Sequence, residues 1–224
     1  MATIFSSVPE LALACLVLAV AEAVYVTFGF GAGLIAVGAL AAFMPRIEDV
    51  VVLLLLVSLP AETLVVATSW RQIRWRGVLL VCVGMAVGVP LGTRLLQTSE
   101  PTILLTLLGG LLVAAGAAFL LVPGARPVRW PRWVAPLAGL GAGVLDGLFG
   151  TSGPPLILYY QLGATPKAAF RGSLMAIFLS ETLVRVPVYA LSGLITVPRL
   201  LSALAVLPAV ALGAWLGQRI QLDL

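Results

Sequence analysis

Apolar runs separated by short polar or glycine-rich interruptions fill the chain, and this pattern predicts nine helical segments. They fall at residues 8–27, 32–44, 48–69, 76–96, 101–122, 133–149, 154–163, 167–191 and 198–220. Seven are long enough to span a hydrocarbon core about 30 Å thick. The second and seventh reach only about 20 Å and about 15 Å. Each short segment directly follows a helix-breaking patch. The first patch is Phe28-Gly29-Phe30-Gly31-Ala32-Gly33; the second is Phe149-Gly150-Thr151-Ser152-Gly153-Pro154-Pro155. The short segments are therefore expected to be half-helices or re-entrant pieces. Irregular backbone at membrane depth survives only where protein or a water-filled cavity satisfies it.

Composition points the same way. Of 224 residues 61% are hydrophobic and 10% charged, against about 25% charged in a soluble domain. Mean hydropathy is +1.14. Residues 1–9 carry no Lys or Arg, so the first apolar run is expected to be a retained span and not a cleaved leader. Cys15 and Cys82 both sit inside apolar runs, where small buried residues are the expected role. Histidine is absent, which excludes Ser-His-Asp chemistry and His-ligated metals. No Gly-x-x-x-x-Gly-Lys loop occurs, so no nucleotide hydrolysis is expected of this chain. No catalytic residues, cofactor or metal ligands are expected. The net charge of +4 is no nucleic-acid signal, because the basic residues mostly occupy short loops.

The two halves of the chain repeat. Ala61-Glu62-Thr63-Leu64-Val65 matches Ser180-Glu181-Thr182-Leu183-Val184 after 119 residues. Gly88 to Arg94 matches Gly213 to Arg219 after 125, and the glycine patches align after 121. The expected organisation is a first transmembrane repeat with a linking fifth segment (1–122), a basic cytoplasmic loop (123–132) and a second repeat (133–224). Basic loops follow segments three (Arg71, Arg74, Arg76), five (Arg126, Arg129, Arg132) and seven (Lys167, Arg171). Alternation puts all three on one side, the cytoplasm by the positive-inside rule, with the N-terminus outside and the C-terminus inside. The loop equivalent to that after segment three follows segment eight and offers only Arg199; the loop equivalent to that after segment seven follows segment two, where Glu48 and Asp49 offset Arg46. That is the charge pattern of inverted-topology repeats. The expected fold is an all-α integral membrane protein of two inverted repeats, with two short broken half-helices.

The second patch reads as a helix start, with Ser152 or Thr151 as N-cap and proline in the first turn. Such an N-terminus offers N–H donors and a positive dipole end to an anion. Gly150, Thr151, Ser152 and Gly153 are thus candidate substrate contacts. Gly29, Gly31 and Gly33 are weaker ones, since glycines also serve helix packing in membranes. Five charges lie inside predicted spans: Glu22, Glu62, Asp146, Glu181 and Arg185. Ionisable groups in lipid are functional or paired. Glu181 and Arg185, four residues apart, can form an ion pair; alternatively Arg185 offers its planar donor fork to an anionic substrate. Arg171 is a second candidate cation, or a topology anchor. Glu22, Glu62, Asp146 and Glu181 are candidates for gating or for carrying a coupling proton.

Residues Gly139 to Pro155 and Leu162 to Ser173 resemble the TauE/SafE family of sulfite and organosulfonate exporters. The likeness lies in a glycine-rich re-entrant stretch, a short apolar segment, the turn Gly163-Ala164-Thr165-Pro166-Lys167 and a long following helix. In the first half Phe28, Phe30 and Ala32 interrupt the family's glycine run. The resemblance implies transport of a small sulfur-containing anion such as sulfite or sulfoacetate. The residues themselves imply a secondary transporter with a broken-helix site, coupled to a proton or sodium gradient. A channel-like or scaffold protein, or a transporter of a different ion, is the alternative. The partners expected are the anion, the bilayer and a coupling ion.

Overall fold

The computed structural model describes residues 3–121, 128, 130–163 and 167–222. Among these the helices are α1 (Val8–Phe28), α2 (Ala32–Leu40), α3 (Ile47–Ser69), α4 (Trp75–Thr98), α5 (Pro101–Leu121), α6 (Val134–Phe149), α7 (Gly153–Leu162), α8 (Lys167–Leu191) and α9 (Val197–Leu222). One 3-10 turn, Trp70–Gln72, joins α3 towards α4. Five helices among the described residues are long and apolar enough to cross a membrane: Val8–Phe28, Trp75–Thr98, Pro101–Ala118, Gly172–Leu191 and Val197–Ile220. The expectation of seven is met only in part. The α6 helix has 16 residues, about 24 Å of rise. The α3 helix has 23 residues, but several of its side chains fall outside the described set. Arg126 and Arg129 of the basic loop also lie outside the described residues.

Local chemistry explains where the helices begin and stop. Glu10 N–H donates to Ser7 Oγ at 3.3 Å, and Ser6 N–H donates to Glu10 Oε2 at 2.7 Å. This variant of the capping box starts α1, with Pro9 in its first turn. Both α1 and α6 stop in the same way. Gly29 (φ 86°) donates its N–H to Tyr25 O at 2.7 Å, and Gly150 (φ 65°) donates to Asp146 O at 2.8 Å. A left-handed residue at this position closes a helix end, and only glycine takes it without strain.

Hydrogen bonds identify the two ends of the bundle. At one end Ile4 N–H donates to Ser202 Oγ at 2.9 Å, and Arg199 bridges to Asp49 at 2.6 Å. Met44, Pro45 and Arg46 share a cleft there with Ile4, Ser6 and Glu10. At the other end Arg74 N–H donates to Ser173 Oγ at 3.2 Å, and Trp130 Nε1 donates to Tyr159 O at 3.1 Å. The α4 helix joins the two: it begins at Arg74 and ends where Gln97 Nε2 donates to Ser192 O at 2.8 Å. Hence α1 and α2 form a hairpin that leaves from and returns to the first end. The α6 and α7 pair does the same from the second end. Their tips meet inside: a Cβ on Gly33 would lie 2.8 Å from Gly150 O and 2.9 Å from Thr151 Cβ.

Packing partners follow the sequence repeat. The α1 helix packs on α9 as α6 packs on α4, and α3 packs on α9 as α8 packs on α4, while α3 and α8 touch each other. The α4–α6 seam is the densest. A Cβ on Gly84, Gly88 or Gly92 would run into the carbonyls of Pro136, Leu140 and Val144. Gly139 and Gly147 meet the carbonyls of Val81 and Val89 from the other side. Small residues let backbones approach this closely, and dispersion supplies the attraction that lipid-immersed helices otherwise lack. Gly213 and Gly217 do the same against Ala19 and Ala23 of α1.

Gly88→Leu should therefore destabilise the protein by about 1–3 kcal/mol through overpacking. Gly109→Leu on α5, where a Cβ meets nothing within 4 Å, should cost little. Unfolding midpoints in detergent, compared between the two variants, check this; equal midpoints would contradict a close-packed seam.

Candidate functional site

A cavity of about 50 Å³ lies where the two hairpin tips meet. The tips supply Gly31 and Gly33 from one hairpin and Gly150, Thr151, Ser152 and Gly153 from the other. Four further helices furnish its remaining wall: Tyr25 from α1, Leu54, Ser58 and Glu62 from α3, Asp146 from α6, and Phe178, Glu181, Thr182 and Arg185 from α8. The α8 residues recur at steps of three or four, so one face of that helix carries them all.

Arg185 is 3% exposed and Asp146 2%. Arg185 Nη1 donates to Asp146 Oδ1 at 2.6 Å and to the main-chain O of Asp146 at 3.3 Å. Beneath the guanidinium lies Tyr189, whose ring centroid is 5.7 Å from Arg185 Cζ. The Tyr189 hydroxyl donates to Gly147 O at 2.9 Å, tying α8 to the last turn of α6. The expected Glu181–Arg185 pair along α8 does not form: among the described residues the ion pairs are Arg185–Asp146 and Arg199–Asp49. An i, i+4 pair is worth only a few tenths of a kcal/mol, and a carboxylate facing the guanidinium from α6 takes it instead. Glu181 receives the Ser152 hydroxyl at 2.5 Å.

That last contact revises the helix-start reading. Ser152 occupies the N-cap position of α7 but makes no side-chain cap. The next helical positions after Gly153 are Pro154 and Pro155, which lack N–H groups for a capping oxygen to accept. The hydroxyl is thereby left to donate to Glu181. The same prolines remove two of the N–H donors that an anion would otherwise find at this helix start. The start of α7 keeps the backbone N–H groups of Thr151, Ser152 and Gly153, while Arg185, the start of α2 at Gly31 to Gly33 and the hydroxyls of Tyr25, Ser58, Thr151 and Thr182 line the same cavity.

Of the remaining sequence candidates, Gly29 closes α1 and does not line the cavity. Glu22 is buried on α1, one turn before Tyr25, with its Oε1 unpartnered among the described residues, and it too lies off the wall. Arg171 is fourteen residues from Arg185 on the same helix, about 21 Å along the axis, so the two do not share this cavity; the Arg171 side chain lies outside the described residues. Tyr25, Ser58 and Thr182 were not singled out by the sequence. Ser58 sits one turn before Glu62 and Thr182 directly follows Glu181, so helical spacing from the acids was the available signal.

Four carboxylates, Glu22, Glu62, Asp146 and Glu181, and one cation, Arg185, are buried among the described residues. Asp146 Oδ2, Glu181 Oε1 and Arg185 Nε have no hydrogen-bond partner there, which leaves polar capacity around the cavity. Among the described residues no three of the acids and cysteines gather in a way that could hold a metal ion. Asp146→Leu or Arg185→Leu alone should cost about 3–5 kcal/mol, because each strands a buried charge. The double variant should recover most of that loss. Unfolding titrations of the four proteins check the coupling; additive losses would contradict a buried pair.

A family model described as "Sulfite exporter TauE/SafE" matches residues 13–224. The "Probable sulfite/organosulfonate exporter TauE" of Cupriavidus necator is 28% identical over 195 residues, covering 85% of this chain and 76% of that protein. The "Probable inner membrane transporter protein TsaS" of Comamonas testosteroni is 28% identical over 172 residues, covering 75% of this chain and 71% of that protein. No solved structure matches. With nearly all of its multi-pass helical bundle inside the match, the chain belongs to the sulfite exporter TauE/SafE family of membrane transporters and is not an enzyme.

Proposed function

We propose that the chain is a secondary transporter that moves a small sulfur-containing anion, such as sulfite, sulfoacetate or a related organosulfonate, across the cytoplasmic membrane. The observation that carries this reading is the buried Arg185 in a cavity where two broken helices meet. Transporters place their sites at discontinuous helices in this way. The names of both relatives support the class of function, and that of the Cupriavidus necator protein supports the substrate class. The anion would sit against Arg185 and the backbone N–H groups of Thr151, Ser152 and Gly153, with Gly31 and Gly33 forming the opposite wall.

Alternating access between two inverted repeats is the mechanism we favour. Hairpins that enter from opposite ends and touch at their tips support it, because relative tilting of the halves would open the shared cavity to one side and then the other. Arg74 and Arg76 lie at the end from which α6 and α7 enter. By the positive-inside rule that end faces the cytoplasm, with the N-terminus outside and the C-terminus inside. Arg171 falls in the first turns of α8, at that same end. A proton or sodium gradient would drive the cycle.

A second reading, a transporter of a cation, is favoured by the excess of buried carboxylates over buried cations. The two readings separate in a binding screen of the purified chain. Oxyanions should raise its unfolding temperature and divalent metals should not, since a ligand of the native state alone stabilises it. The reverse pattern would favour the cation reading. In proteoliposomes Arg185→Ala should abolish saturable sulfonate flux, and so should the Asp146→Leu/Arg185→Leu double variant, which removes the buried charge together with its partner and keeps the fold. Unchanged flux would remove Arg185 from the site. Gradient-driven accumulation by the chain alone would exclude a channel or scaffold role.

A further inference from the structure

Asp146 already occupies the place an incoming anion would take. Its carboxylate holds Arg185 Nη1, and its main-chain oxygen holds the same nitrogen. Among the described residues, every other titratable group that faces this pair is neutral when protonated and negative when deprotonated, so none brings a positive charge. The α8 helix presents Glu181 one turn before Arg185 and Tyr189 one turn after; α3 presents Glu62; α1 presents Tyr25, with Glu22 behind it. The hairpin tips add glycines and the hydroxyls of Thr151 and Ser152. Among the described residues Arg185 is the buried cation that all of them share. When an anion draws the guanidinium away, no second cation is at hand to take over Asp146. A bare carboxylate in a site walled off from water is strongly disfavoured.

We propose that each anion bound at Arg185 brings one proton onto Asp146. This rests on the reading of the cavity as the anion site. The step is a displacement followed by a simple protonation: the Arg185–Asp146 contact breaks, an Arg185–oxyanion contact forms, and the carboxylate takes one proton from solvent to become a carboxylic acid. No other bond changes. Asp146 Oδ2, which has no partner among the described residues, is an oxygen available to receive it. Charge at the site is thereby conserved: one negative group leaves the guanidinium as another arrives. Coupling of anion to proton then follows from electrostatics at one arginine and needs no separate proton site.

The test is isothermal calorimetry of the purified full chain with ethanesulfonate, whose own charge does not change with pH in the working range. Titrations run at one pH in two buffers of different ionisation enthalpy, without sodium and then with it. The expected result is uptake of about one proton per sulfonate in either case. Affinity should weaken by up to about tenfold per pH unit on the alkaline side, as one linked proton requires. In Asp146→Asn the proton uptake should vanish and the affinity should become flat with pH. The proton count on the wild-type protein stands without this variant, should the variant fail to fold. Sulfonate binding with no proton uptake overturns the coupling and leaves the anion site intact. Binding that requires sodium in place of a proton does the same. Failure of the wild-type protein to bind any sulfonate overturns the anion site, and the coupling falls with it.

Discussion

Backbone that leaves a helix inside a bilayer must find hydrogen-bond partners within the protein, because hydrocarbon offers none. This chain interrupts its helices twice under that constraint. Gly29 and Gly150 each close the preceding helix with an N–H to the carbonyl four residues back, and the exposed peptide groups that follow are sheltered where the two tips abut. The α4 helix packs closely on α6, and α1 on α9, which supports that arrangement. This packing holds the long leg of each hairpin against a helix that runs beside it, so the tips are brought together rather than left facing lipid.

Once the tips meet, the charge distribution around them acquires meaning. A guanidinium at 3% exposure is tolerable only with a counter-ion, and Asp146 provides it from the last turn before the break. The glycine stop at residue 150 and the charge at 146 are thus one device. The Gly150 N–H donates to the Asp146 carbonyl to close the helix, and that same carbonyl also accepts from Arg185 Nη1. A Cβ on Gly150 would lie 3.0 Å from Arg185 Nη1, so a glycine at this position also gives the arginine its room. The cavity of about 50 Å³ is walled by the glycines of the tips and by larger side chains, among them Tyr25, Phe178, Glu62, Glu181 and Arg185.

Much of this was legible in the sequence, because membrane constraints act locally. The two short segments and their glycine patches follow from apolar length and small-residue spacing. What the sequence left hidden depends on which groups face one another across helices. Helical spacing favours Glu181 for Arg185, but the contact lies between α6 and α8. Ser152 has the residue type of a cap, yet two prolines take away the donors it would cap, and it turns to Glu181. Tyr25 enters the cavity only because α1 and α8 converge, with its ring 6.1 Å from that of Phe178. Arg171 looked equivalent to Arg185 as a cation until one continuous helix separated them.

An anion held in the cavity at the hairpin tips, as proposed, can be located directly. Selenite carries the shape and charge of sulfite and an atom that scatters anomalously. The most direct measurement is an experimental structure of the purified chain with selenite bound, with selenium located by its anomalous signal. The account predicts selenium between Arg185 and the Thr151–Gly153 backbone, with Asp146 displaced from the guanidinium. Selenium at the basic end near Arg74, with the Arg185–Asp146 pair intact, would contradict it.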